Sequence, residues 1–107
     1  MSTDGEARFW DLAEPLVTQP GIEKSTMMGL PCLRINGAFF ASYDHRRSDL
    51  LVKLPKERVD ALIAAGRGHE FAPAGRRFRE WAAIPIERSR TWNKLLEEAR
   101  TFVAGST

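Results

Sequence analysis

Two adjacent residues, Asn36-Gly37, constrain this chain more than any others. They separate Cys32-Leu33-Arg34-Ile35, where apolar and polar residues alternate, from the run Ala38 to Tyr43. Asparagine and glycine both accept positive φ, which a two-residue type I′ turn requires at both of its central positions. Such a turn pairs Ile35 with Ala38, Arg34 with Phe39 and Leu33 with Phe40. Strict alternation then puts Leu33, Ile35, Ala38 and Phe40 on one face of the hairpin. It puts Cys32, Arg34, Phe39, Ala41 and Tyr43 on the other. After the polar loop from Asp44 to Asp49, Leu50 to Leu54 reads as a third strand.

Helices flank this β region. Thr3-Asp4-Gly5-Glu6 fits a capping box, and Phe9, Trp10, Leu12, Ala13, Leu16 and Val17 follow at helical spacing. Pro15 inside that pattern predicts a kink or an early end. Gln19-Pro20-Gly21 predicts a turn. Met27-Met28 reads either as a short strand before Gly29 or as a lead-in to the hairpin. Pro55 opens a second helix with Val59, Leu62 and Ile63 as its apolar stripe, and Gly66 supplies a left-handed residue just past its end. Phe78 to Ile84 reads as a strand ending before Pro85. A last helix runs from about Ser89 to Ala104, with Trp92, Leu95, Leu96, Ala99, Phe102 and Val103 inward. The terminal Ser106-Thr107 is expected to fray.

Short hairpin links imply antiparallel pairing. The order predicts an α+β, two-layer domain: a mainly antiparallel sheet of four or five strands, with about three helices on one face. No linker or repeat divides residues 1–107, so one domain is expected. The single cysteine, Cys32, excludes an internal disulfide and fits a reducing, cytoplasmic setting. The first ten residues lack a basic start and an apolar core, so no secretory leader is expected. No apolar run reaches the ~20 residues a bilayer span needs, so no membrane partner is expected.

The net charge of +2 is unevenly distributed. Residues 1–54 hold 6 Lys+Arg against 7 Asp+Glu, whereas residues 55–107 hold 10 against 7. Arginines at 67, 76, 77, 79, 88 and 90 cluster around glutamates 70, 80 and 87, which predicts a local positive field.

The stretches MMGLPCLRINGAFFA (27–41), LLVKLPKERVDALIAAGRG (50–68), FAPAGRRFREWAAIP (71–85) and EEARTFVAG (97–105) appear in an order and spacing that resembles the MmcQ/YjbR family. The likeness covers about residues 8–105 and extends to the N-terminal domain of TfoX-type competence regulators. Members of the family are small α/β proteins, often labelled DNA-binding because their fold is like a double-wing DNA-binding module. The resemblance therefore implies a small α+β fold and a nucleic-acid partner. Regulation of competence is not implied.

Residues with catalytic potential are scattered. Gly66-Arg67-Gly68-His69-Glu70-Phe71 begins like a dinucleotide fingerprint, but Phe71 stands where the last glycine belongs, and the stretch follows a helix. No Gly-Lys-Ser/Thr phosphate loop exists. Cys32 pairs near Ala41 in the hairpin, which leaves His45 about two pleats away, beyond hydrogen-bond reach of a thiol nucleophile. His45 and His69 with one cysteine give no metal-ligand spacing. Glu57, Asp60, Glu97 and Glu98 fall on the wet faces of helices. No enzyme, metal or cofactor is expected.

One constellation remains. If Leu33, Ile35, Phe40, Val52, Ala82 and Ile84 face the helices, the opposite sheet face presents Arg34, Phe39, Tyr43, Lys53, Arg79 and Trp81. Arg67, Arg76 and Arg77 extend its charge. Aromatic rings that stack bases, mixed with cations that meet phosphates, suit single-stranded nucleic acid. The same residue types suit a protein partner or a second copy of the chain. They also suit a face on which Arg and Lys stems lie over rings or a further element covers them. A third location, between the sheet and helix 1 near Met27, Met28 and Trp10, reads as a small-molecule pocket or as plain core.

Overall fold

The computed structural model describes residues 4–27 and 29–106. The predicted cap residue Thr3, together with Met28 and Thr107, lies outside them. Helix α1 (Asp4–Val17) precedes an antiparallel run of β1 (Ile22–Met27), β2 (Leu30–Ile35), β3 (Ala38–Asp44) and β4 (Asp49–Lys53). Then come α2 (Lys56–Ala64), β5 (His69–Phe71), β6 (Phe78–Pro85) and α3 (Trp92–Ser106). The six strands form one sheet in the order β1-β2-β3-β4-β6-β5, every neighbour antiparallel.

The expected hairpin forms. Asn36 and Gly37 take φ of 52° and 87°, and Ile35 pairs with Ala38 and Arg34 with Phe39. One residue further on, the register departs from simple alternation: Leu33 pairs with Ala41, which leaves Phe40 as an extra residue in β3. This β-bulge turns both Phe40 and Ala41 into the core and resets the alternation beyond them. Tyr43 therefore lies on the helix side, 1% exposed, opposite Leu50. Its assignment to the outer face is corrected by that one inserted residue.

All three helices lie on the same side of the sheet. Phe9, Ala13 and Leu16 of α1, Val59 and Leu62 of α2, and Trp92, Leu95, Leu96, Ala99 and Val103 of α3 are buried. They join Leu33, Ile35, Phe40, Tyr43, Leu50, Val52, Ala82 and Ile84 in one core. The apolar stripes recur at helical spacing, so each helix gives one face to the sheet. Burial of this apolar surface is the main stabilising term.

The boundaries differ from the sequence expectation where local signals compete. Helix α1 runs through Pro15 to Val17, because a proline in the last turn disrupts little of the helix that follows. Ile22 to Met27 is a strand although only Ile22 of its first five residues is strongly apolar; β1 is an edge strand with Glu23, Lys24 and Thr26 exposed. Nothing in the sequence predicts the three-residue β5, which with β1 brings the sheet to six strands instead of four or five. Helix α3 begins at Trp92, after a 3₁₀ segment from Ile86 to Thr91. Gly66 takes φ +72° past the end of α2, with the Arg67 N–H donating to the Leu62 carbonyl at 2.9 Å, as the left-handed cap predicts. Gly68 then crosses the sheet closely. A Cβ there would stand 2.9 Å from Ile84 Cδ1 and 3.3 Å from the Ala83 carbonyl oxygen.

Candidate functional site

The face of the sheet that carries no helix is built by alternation from β2, β3, β4 and β6. Leu30, Leu51 and Ala83 form a second, smaller buried cluster there, with Phe71 and Trp81 packed against it. Leu51 and Ala83 pair across β4 and β6. They divide the face into two ends of different chemistry.

One end is basic and aromatic. Arg34 pairs with Phe39, and its guanidinium lies 5.8 Å from the Phe39 ring centre. Lys53 pairs with Trp81. Both pairs fall at the same end because Ala41 pairs with Val52 between them. Trp81 is half-buried, 6.5 Å from Phe71, which lies 5.8 Å from Phe78. The β5–β6 register slips between Glu70 and Phe71, so that Phe71 pairs with Phe78 while Glu70 pairs with Ala82. That irregularity gathers Phe78 and Trp81 around Phe71 and leaves Glu80 exposed rather than in the core.

The predicted cations do not act as one group. The Arg34 Nη2 donates to Glu23 Oε2 at 2.6 Å. Arg77 lies before β6 and turns away from the face, its Nη2 3.1 Å from Asp60 Oδ1 of α2 and its Nε 3.5 Å from Glu70 Oε1. Arg76 stands over Phe78 at 5.4 Å. Arg67 and Arg79 are exposed, and neither they nor Lys53 has an ion-pair partner among the described residues. The field available to an anionic ligand thus comes from Lys53, Arg79, Arg76 and Arg67, with Arg34 and Arg77 largely neutralised. Tyr43 contributes nothing to it, being stacked on Phe9 at 5.8 Å within the core.

The other end holds a cavity of about 760 Å³ that the sequence did not announce. Its walls are the β3–β4 loop, with Asp44, Arg46 and Arg47, and the segment from His69 to Ala74; Asp49, Leu51 and Ala83 complete the lining. Asp44 and Asp49 pair across the hairpin, 5% and 6% exposed. Asp44 Oδ1 accepts from the Arg46 backbone N–H at 3.0 Å, with Arg46 Nε 3.5 Å away. Burial pushes the Asp49 carboxyl above its ordinary value; the nearby His69 opposes that shift and the Asp44 charge adds to it. His69 approaches because β5 exists, and three residues of which two, His69 and Glu70, are exposed carry no strand signal in the sequence.

Cys32 is fully buried, and desolvation raises its thiol pKa against a hydrogen bond with Ser25 and the Arg34 charge. At the third location, Trp10 packs edge-on to Phe9 at 5.0 Å with the Lys24 ammonium 5.0 Å from its ring, which is the arrangement of a covered core edge. Among the described residues no three potential ligands gather to hold a metal ion, and no helix is long and apolar enough to cross a membrane.

Compared with known proteins, the chain matches no family model, no curated protein and no solved structure. The fold itself defines the class: an α+β domain with helices on one face of an antiparallel sheet and a mixed basic and aromatic surface on the other.

Proposed function

We propose that this chain is a non-enzymatic, cytoplasmic binding domain for single-stranded nucleic acid, using the basic end of its helix-free sheet face. The observation that carries the reading is the cross-strand pair of Lys53 with Trp81, beside the pair of Arg34 with Phe39. A ring next to an unpaired cation offers a base its stacking partner and the adjoining phosphate its counter-charge. Arg79 and Arg76 widen the field, and the resemblance to MmcQ/YjbR domains supports the same partner. Anisotropy titration of a labelled oligothymidylate at two salt concentrations, with a duplex as comparison, tests it. Affinity is expected to fall with salt along a log–log line, by about 0.7 in slope per phosphate neutralised. Lys53→Ala or Arg79→Ala should flatten that line by about one such step. Trp81→Ala should cost about 1–3 kcal/mol and leave the slope alone. No binding at low salt would end the reading.

A second reading rests on the Phe71, Phe78 and Trp81 cluster beside the short edge strand β5. Half-buried aromatics at a sheet edge suit a protein partner or a second copy of the chain. Sedimentation of the wild type and of Trp81→Ala separates the two: a dimer that dissociates on substitution favours association.

A further inference from the structure

The cavity at the acidic end of the sheet face is independent of the nucleic-acid reading. Its volume, about 760 Å³, lies within the range of small-molecule sites. Its floor is apolar, from Leu51 and Ala83, and Phe71 and Pro73 line its wall. Within this surround, Asp49 is 94% removed from solvent and makes no hydrogen bond or ion pair with any described residue. A carboxylate that receives no donor from the protein and opens only onto a cavity takes its partners from what enters that cavity, solvent or a ligand.

The charges around the cavity decide the sign of that ligand. Asp44, Asp49 and Glu70 face Arg46 and Arg47. The Arg46 side chain is 69% exposed and is directed to Asp44, not to Asp49. Arg47 is exposed at the rim. Arg46 is matched to Asp44 and Arg77 to Glu70, which leaves Asp49 as the carboxylate without a salt-bridge partner, with His69 and Arg47 acting on it from beyond ion-pair distance.

We propose that this cavity binds a small organic cation, a primary ammonium or guanidinium on a short aliphatic stem, with Asp49 and Asp44 taking the charge and Leu51, Ala83 and Phe71 taking the stem. The geometry matches the ligand at both ends. Charge-assisted hydrogen bonds to a carboxylate are about twice as strong as neutral ones. The Phe71 ring adds a surface that attracts cations. The raised Asp49 pKa agrees, since a bound cation would restore the ionised form that burial disfavours.

Titration of the ¹⁵N-labelled protein with agmatine and with putrescine, followed by amide chemical shifts, tests the assignment. Shifts are expected to concentrate at residues 44–51, 69–74 and 83, and n-butanol should not reproduce them. Asp49→Asn should weaken binding about tenfold or more. This variant removes an unpaired buried charge, so its fold should persist and its spectrum should show it. Absence of saturable shifts, or shifts that Asp49→Asn leaves unchanged, would overturn the proposal. An acetylated Gly-Arg-Gly amide that binds more tightly than agmatine would also overturn it, in favour of an arginine from a protein partner.

Discussion

Tyr43→Ala tests the bulge at Phe40 directly, because the bulge alone decides which face Tyr43 occupies. With simple alternation the ring would lie on the outer face, and its removal would cost what a half-exposed side chain costs, about 1 kcal/mol or less. In the structure it is 1% exposed, 5.8 Å from the Phe9 ring and 6.2 Å from Trp92. Deleting a fully buried aromatic costs about 3–5 kcal/mol through lost transfer energy and the cavity left behind. Each ring pair is worth about 0.5–1.5 kcal/mol of that beyond area burial. A domain of 107 residues holds roughly 5–15 kcal/mol in total, so the loss is a large share. Urea denaturation followed by tryptophan fluorescence measures it, since Trp92 reports on the same cluster. Phe39→Ala serves as the comparison: Phe39 is half-buried on the outer face, and about 1 kcal/mol is expected. A Tyr43→Ala loss no larger than that of Phe39→Ala would refute the reset of the strand.

Three further outcomes follow from the same packing. Gly5→Ala should destabilise the protein although alanine favours helices, because its Cβ would collide with the Tyr43 hydroxyl and stand 3.2 Å from Ile86 Cδ1; adding Tyr43→Phe should recover most of the loss in a double-mutant cycle by thermal denaturation. The raised Asp49 pKa means that its folded form resists ionisation, so stability present below the ordinary aspartate value is lost as pH rises through the folded value. Asp49→Asn should therefore be the more stable protein near neutral pH, and its advantage in urea midpoint should vanish in acid. Cys32, fully buried with a raised pKa, should resist a disulfide reagent in the native state and react at the rate of unfolding when urea is added.

The two-layer α+β architecture was legible because its strongest signals are local. Asn36-Gly37 fixes a turn, Gly66 ends a helix, and the stripes of α2 and α3 recur at helical spacing. The inward set Leu33, Ile35, Phe40, Val52, Ala82 and Ile84 was read from the same periodicities. What escaped was set by pairing between distant segments. The extra residue at Phe40 carries no mark of its own, yet it moved Tyr43 from one face to the other. The edge strands β1 and β5 are polar or very short, and they exist because β2 and β6 offer them open hydrogen-bonding edges. The cavity was invisible for the same reason: Asp49 and His69 are 20 positions apart in the sequence and become neighbours only once β5 joins β6. The partners of Arg34 and Arg77 were equally hidden, since Glu23 lies on the polar edge strand β1 and Asp60 on the exposed side of α2.

The division of the sheet face into two ends constrains any ligand that crosses it. The basic row runs from Arg34 on β2 through Phe39 and Lys53 to Trp81 on β6, which spans three interstrand gaps, or about 14 Å. A strand of nucleic acid laid along that row follows the sheet's hydrogen-bonding direction, across the strands. Turned along the strands instead, it would leave Lys53, pass over Leu51 and meet Asp49 and Asp44. Phosphates brought there would face the carboxylates of Asp49 and Asp44, and burial already disfavours the ionised form of Asp49, so the acidic end rejects the second path. The two ends are thus complementary in effect. The same carboxylates that suit a small cation confine an anionic polymer to the row where the rings and the unpaired Lys53 lie, and the orientation of a bound strand is set by repulsion at one end as much as by contact at the other.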